Sequence, residues 1–253
     1  MSNTNVAVSP TAASSAPAAA ASRARPHWLS VAAAVAVVGT FVRALWFTPL
    51  EALQGAAQKI LYIHATAAFV GLYLACGLVA FASLAYLWLK DERADRLAES
   101  AAEIAFVFLS VVLMTGPIWA RPIWGTWWTW DARLTLTLFL WFVVVGYLVL
   151  RGAIEDRAMR ARYSAVLGIL AAVLVPFIHL SVYLFRTLHP MPIVLKPSAP
   201  SMSREMATTF ALAFASFTLL FAAFLRARYA LGTERAALER AAAERDERFG
   251  GER

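Results

Sequence analysis

The sequence predicts an all-α integral membrane protein: six transmembrane helices with a Trp-rich external amphipathic segment. Three observations carry that prediction. The chain has 253 residues, of which 60% are hydrophobic and 15% charged, and a mean hydropathy of +0.62; a soluble domain is nearer half apolar and a quarter charged. A helix crosses the hydrocarbon layer in about 20 residues, and apolar runs of about that length or more recur at about 29–47, 60–89, 101–120, 134–150, 163–186 and 206–225. Lys and Arg, finally, are shared unequally between alternate loops, as the positive-inside rule requires of a multi-pass chain.

Taken in order, residues 1–28 form an N-terminal tail. Its first 22 residues are mostly Ala, Ser, Pro and Thr without charge, a composition too poor in apolar groups to offset chain ordering, so disorder is expected there. Arg23 and Arg25 precede the first apolar run, which carries no small-residue cleavage pattern and reads as an uncleaved helix rather than a signal peptide. With the N-terminus inside, 16 of the 23 basic residues fall on the cytoplasmic side, among them Lys90, Arg93, Arg96, Arg151 and Arg157. Both termini are then cytoplasmic. The external segments are 48–59, 121–133 and 187–204. Residues 29–230 make one membrane domain, with its Trp-rich external segment at 119–131. Residues 231–253 make a charged cytoplasmic tail, where Glu244 and Arg248 stand four apart as in a solvated helix.

Composition excludes several classes. The formal charge of +7 is spread over loops rather than gathered on a polar domain, so it reads as topology; the bilayer is a partner and nucleic acid is not. A lone cysteine, Cys76, allows neither an internal disulfide nor a dithiol redox pair. It reads as a small buried apolar side chain.

The external segments hold the chemistry. In WARPIWGTWWTWD, residues 119–131, stand Trp119, Trp124, Trp127, Trp128 and Trp130, five of the nine tryptophans. If 124–131 is helical, Trp124, Trp127, Trp128 and Asp131 share one face and Trp130 points away. Such a face is a flat amphipathic shelf at the membrane surface, fitted to a broad apolar ring system with a polar rim. Two histidines flank it: His64, five residues past Lys59, and His189, just before Pro190. Imidazole is the commonest metal ligand and is costly to leave unpaired in lipid. Alone, each histidine reads first as a satisfied polar residue rather than a ligand, and His27 as an interfacial one. Two external imidazoles with an indole shelf suggest haem, which needs axial nitrogens, apolar planes and cations for two propionates. Lys59, Arg121 and Arg133 lie on the correct side to supply those cations, although each is also a plausible helix flank. Asp131 has two readings, as N-cap of the fourth helix and as an orienting group for the site. His179 lies deeper, three residues after Pro176, where backbone freed by the proline offers it a structural partner.

WGTWWTWDARLT resembles the WWD signature of the haem-handling proteins of cytochrome c maturation system I. The contexts KILYIH and RTLHP resemble the two histidine sites of the CcmC (HelC) family, haem exporter protein C, and the resemblance covers about 29–230. It implies that His64 and His189 ligate the iron of haem b from opposite sides. It implies that Trp124, Trp127, Trp128, Trp130 and Asp131, with Trp119 at the segment's edge, form the shelf. The haem would be presented at the periplasmic face of the bacterial inner membrane and passed to a membrane-anchored chaperone of the CcmE type. The resemblance further implies ABC-transporter subunits of CcmA and CcmB type and a small one-span CcmD-type subunit. No GxxxxGK[ST] motif is present in the chain. Where the family pattern has a basic residue ahead of the first histidine, Lys59 can neutralise a propionate but not bind it in a fork. No enzymatic activity is expected.

Other readings weigh less. A membrane b-type cytochrome would place paired histidines deep in the bundle, and only His179 is deep. A non-haem transport permease would show internal repeats and intramembrane charges; Arg43 and Glu103 lie within or at the ends of spans, where either can snorkel or Arg43 can pair inside the bundle. A non-haem assembly scaffold would use the Trp segment for a protein partner alone.

Overall fold

The computed structural model of the chain describes residues 27–191 and 202–250. The expectation of a disordered N-terminal tail, with Arg23 and Arg25, lies outside the described residues, as do most of segment 187–204 and Lys196. Six helices long and apolar enough to cross a membrane are present: α1 Trp28–Phe47, α2 Ala56–Leu89, α3 Glu92–Trp124, α4 Ala132–Ala153 and α5 Arg157–Leu184, then α6 Arg204–Gly250. The protein is an all-α, multi-pass membrane protein.

Local sequence explains where the helices start. Asp91, Asp131 and Asp156 each take an extended backbone and accept a hydrogen bond from a first-turn amide, of Arg93, Leu134 and Met159. Such capping satisfies amides that lack intrahelical partners. His27 caps α1 in the same way through Nδ1, accepting from the Leu29 amide at 3.2 Å. The cap keeps His27 at the end of the first helix, the interfacial place expected of it.

Two helices run past the expected spans. α3 begins at Glu92 rather than near 101, and α6 runs on past its apolar span to Gly250, the solvated helical extension expected of the charged tail. The added turns lie outside the apolar windows and are held by charge. The Arg228 guanidinium is bidentate to Glu103, and Arg157 pairs with Glu239 across α5 and α6. Glu103 therefore ties α3 to α6 instead of snorkelling. Arg43, at the other end of the bundle, donates from Nε to Thr209 Oγ1 at 3.1 Å.

α3 is the hub, packing against α2, α4, α5 and α6, while α1 leans on α6. Leu72, Leu109, Leu140 and Ile178 meet in one buried cluster that joins α2 through α5. Cys76 belongs to it at 1% exposure, the small apolar role expected of it. Phe81, Phe139, Val166 and Phe177 are exposed on the outside, as lipid-facing side chains are in a bundle whose interior is no more apolar than the bilayer.

Close packing between α2 and α5 depends on Gly168. A Cβ there would stand 2.7 Å from Val79 Cγ1, 3.0 Å from Ser83 Oγ and 3.3 Å from Tyr147 Cε2, all of them buried side chains. Gly168→Ala is expected to lower the thermal midpoint in detergent by several degrees, the result of about 1–3 kcal/mol of overpacking. An unchanged midpoint would mean that the crossing has slack to give.

Candidate functional site

A cavity of about 320 Å³ opens at the end of the bundle where α2 and α4 begin and α3 and α5 end, within the range of small-molecule and cofactor sites. Its walls are mostly apolar, and the polar groups on it are few and specific.

Both external histidines line it. His64 sits on α2 with Nδ1 3.0 Å from Thr115 Oγ1. The Thr115 hydroxyl gives its one proton to the Val111 carbonyl at 2.7 Å. It must therefore accept from His64 Nδ1–H, which leaves the lone pair on Nε2. Gly116 makes room for this ring, because a Cβ there would lie 3.3 Å from His64 Cε1. His189 reaches the cavity from the loop after α5, and its Nδ1 is 3.0 Å from the Pro190 carbonyl oxygen. A carbonyl can only accept, so here too the proton is on Nδ1 and Nε2 is bare. Burial, and then the neighbouring Arg133 guanidinium, hold the His189 imidazole down at about 4, so it is neutral near pH 7. Both imidazoles are thus in the tautomer a metal requires, each fixed by a hydrogen bond on its far nitrogen.

Asp131 serves both of its proposed roles. Oδ1 accepts from the Leu134 amide at 3.0 Å as the α4 cap, and Oδ2 accepts from Thr187 Oγ1 at 2.8 Å. The Thr187 hydroxyl accepts in turn from the His189 amide at 3.0 Å. The fourth helix is in this way tied to the loop that carries the second imidazole. Thr187→Val removes the relay while keeping the shape of the side chain. Loss of a group that orients a metal ligand costs roughly 10–100-fold in affinity, so if His189 ligates haem iron as the sequence resemblance implies, a fall near the lower end is expected in haem titrations of this variant. Wild-type affinity would show that the loop holds itself.

The tryptophans divide. Trp119, Trp124 and Trp128 line the cavity, with Trp119 5.8 Å from the His64 ring and Trp124 6.5 Å from the His189 ring, both edge-on. Trp119 is fixed by donating from Nε1 to Gln54 Oε1 at 3.0 Å. Trp127 and Trp130, 58% and 76% exposed, are not among the lining residues. The expected helical shelf over 124–131 does not form. Gly125, at φ +75°, stops α3 immediately after Trp124, a left-handed conformation that glycine adopts without Cβ strain. Residues 125–131 then run as irregular chain, so helical spacing does not decide which indoles face in.

The cations divide as well. Arg133 lines the cavity, and among the described residues its buried Nη1 has no partner. Lys59, expected to meet a propionate, does not line the cavity. Its ammonium donates to the Ala44, Thr48 and Pro49 carbonyls, closing the end of α1. Those carbonyls have no amide to receive, and the lysine fills them. Arg121 turns back in a similar way onto the Gly125 carbonyl at the end of α3. His179 departs from its expected role too, since its Nδ1 meets Tyr73 Oη at 2.7 Å rather than backbone freed by Pro176.

The sequence reading missed Gln54, Thr115, Gly116, Tyr73 and Thr187. Of these only Gly116, next to Pro117 inside an apolar run, carried a signal, since a glycine within a helix marks a close approach.

Comparison with known proteins bears on this arrangement. Residues 8–244 match the family model described as Heme exporter protein C. Heme exporter protein C of Bradyrhizobium diazoefficiens is 35% identical over 195 residues, 77% of this chain and 73% of the relative. The protein of that name from Escherichia coli K12 is 35% identical over 199 residues, 76% and 80% of the two chains. The one from Haemophilus influenzae is 36% identical over 186 residues, 73% and 75%.

Proposed function

Because the chain belongs to the Heme exporter protein C family, whose role is haem handling for cytochrome c maturation, we propose that it holds haem b between His64 and His189 and presents it to a chaperone. The site faces the periplasm at the bacterial inner membrane, with both termini cytoplasmic. The acceptor is a membrane-anchored haem chaperone of the CcmE type. The observation that carries this reading is the pair of imidazoles on one cavity, each with Nδ1 committed and Nε2 bare.

The other residues present fit the group. Haem, when bound, supplies an iron with two axial positions, a flat apolar ring and two carboxylates. His64 and His189 would take the axial positions. Trp119, Trp124 and Trp128 would cover apolar faces, and the unpartnered Arg133 guanidinium would take a carboxylate. The role is to hold and orient, with no enzymatic step. Trp127 and Trp130 stand outside the mouth, where they can meet a partner protein. ATP-binding and permease subunits of CcmA and CcmB type and a one-span CcmD-type subunit complete the assembly in this reading.

Oxidised and reduced absorbance spectra of the detergent-purified protein test it. A bis-imidazole Soret band with stoichiometric haem is expected, and a colourless protein that also fails to take up added haemin would end the reading. Trp127→Ala is expected to keep that spectrum and slow loading of the chaperone. Undiminished loading would reduce the exposed indoles to an interfacial belt.

A further inference from the structure

The cavity has a second polar corner, which the iron-holding groups leave unused. Tyr73 and His179 line it together with Arg133. Tyr73 lies nine residues beyond His64 on the same helix, so about 13 Å further along it. Ala65, Phe69 and Leu72 of this helix also line the cavity, and Tyr73 follows Phe69 by four residues, so it stands on the same face one turn deeper. The helix is wound as a π turn over Val70–Ala75, a feature found at functional sites more often than elsewhere.

Chemistry at this corner matches one kind of ligand group. Tyr73 Oη has His179 Nδ1 as its hydrogen-bond partner among the described residues, at 2.7 Å. Unlike the Pro190 carbonyl, which only accepts, and the Thr115 hydroxyl, whose proton is on Val111, the phenol is free to give its proton in either direction. When Tyr73 turns its proton to a ligand oxygen, His179 Nδ1–H can fill the phenol lone pair. On the same cavity Arg133 holds a buried Nη1 without a partner among the described residues, and Asp131, the nearest acid on its own helix cap, has its oxygens on the Leu134 amide and Thr187. Around them the wall is apolar, with Leu72, Val112 and Phe214. A guanidinium with a free N–H, next to a hydroxyl whose proton can be redirected, is a receptor for a carboxylate.

We propose that Arg133 and Tyr73, with His179 positioning Tyr73, form a carboxylate receptor at the membrane-side corner of the cavity. This rests on the haem-binding reading and makes it more specific. One propionate sits against Arg133 and Tyr73, and the porphyrin edge that bears no carboxylate is turned toward the mouth beneath the exposed tryptophans. Arg133 alone fixes a charge; Tyr73 fixes an orientation.

Soret titrations of the detergent-purified full chain with ferric protoporphyrin IX and with its dimethyl ester separate the outcomes. The wild type is expected to bind the free acid about tenfold tighter or more, as a charge-assisted hydrogen bond warrants. Tyr73→Phe is expected to reduce that ratio several-fold while leaving ester affinity unchanged. His179→Leu is expected to do the same to a smaller extent and His179→Gln, which keeps a donor, to restore most of it. A wild-type ratio in Tyr73→Phe, or equal weakening of both ligands, would overturn the receptor. If the wild type binds both equally, haem binding stands and the receptor falls. If it binds neither, the haem reading fails and the receptor with it. Thermal midpoints of the variants separate lost binding from lost folding.

Discussion

His64→Ala and His189→Ala are each expected to strip most of the haem from the purified protein and to move the Soret band of what remains toward that of a single axial ligand. The size follows from the geometry. Both Nε2 atoms are bare because Thr115 and Pro190 occupy the two Nδ1 positions, so each ring offers its lone pair without a tautomer change. Even the loss of a group that merely orients a metal ligand costs about 10–100-fold, and loss of the ligand itself should reach or exceed the upper end. The double variant should retain no haem beyond what the apolar walls hold. Folding should change little, since both rings stand at a cavity rather than in a close-packed core, and Thr115 keeps its bond to Val111. Haem content by pyridine haemochrome, with the spectrum, is the measurement. If both single variants kept wild-type haem content and an unmoved band, the two imidazoles would not be the axial pair.

How much of this was legible in the sequence depended on range. The six spans were legible because lipid leaves a backbone no option but helix, so hydropathy over some 20 residues decides the matter locally. Asp131 as a cap, and Trp119, Trp124, Trp128, Arg133, His64 and His189 as groups near one site, followed from residue type and from the side of the membrane to which the loops were assigned. What failed were inferences about direction. Trp127 and Trp128 are adjacent, yet only Trp128 lines the cavity; Gly125 ended the helix that would have ordered them, and an irregular segment has no period to read. Lys59 was lost to three carbonyls at and just past the end of α1, a contact between segments some ten to fifteen residues apart. Tyr73 was hidden for a related reason: its partner His179 comes from α5, a pairing that only the packed bundle shows. Thr187 could be given a role only after Asp131 and His189 had been placed side by side.

Arg151→Ala is expected to be the most destabilising single change at the opposite end of the bundle. Arg151 is 8% exposed, and its guanidinium is bidentate to Asp95, at 2.7 and 2.9 Å, with a third bond to Glu99 at 3.0 Å. Its carbon atom lies 5.8 Å from the centre of the Tyr147 ring. Truncation leaves Asp95 and Glu99, with side chains 16% and 40% exposed, without their shared cation. Removing one partner of a fully buried pair costs about 3–5 kcal/mol, and because water reaches Glu99 the loss here is expected below that range. Arg151→Lys should recover only part of this, since an ammonium cannot fork Asp95 while also reaching Glu99. Replacing all three by Met, Asn and Gln should be milder than Arg151→Ala, because no unpaired charge remains. Thermal denaturation in detergent ranks the variants, and the haem spectrum of the folded fraction should not move, as the trio lies at the far end of α3 and α4 from the cavity. A ranking in which the triple replacement is the worst would mean that the charges stabilise the bundle outright. A shifted spectrum with an unchanged midpoint would mean instead that the two ends of the bundle are coupled.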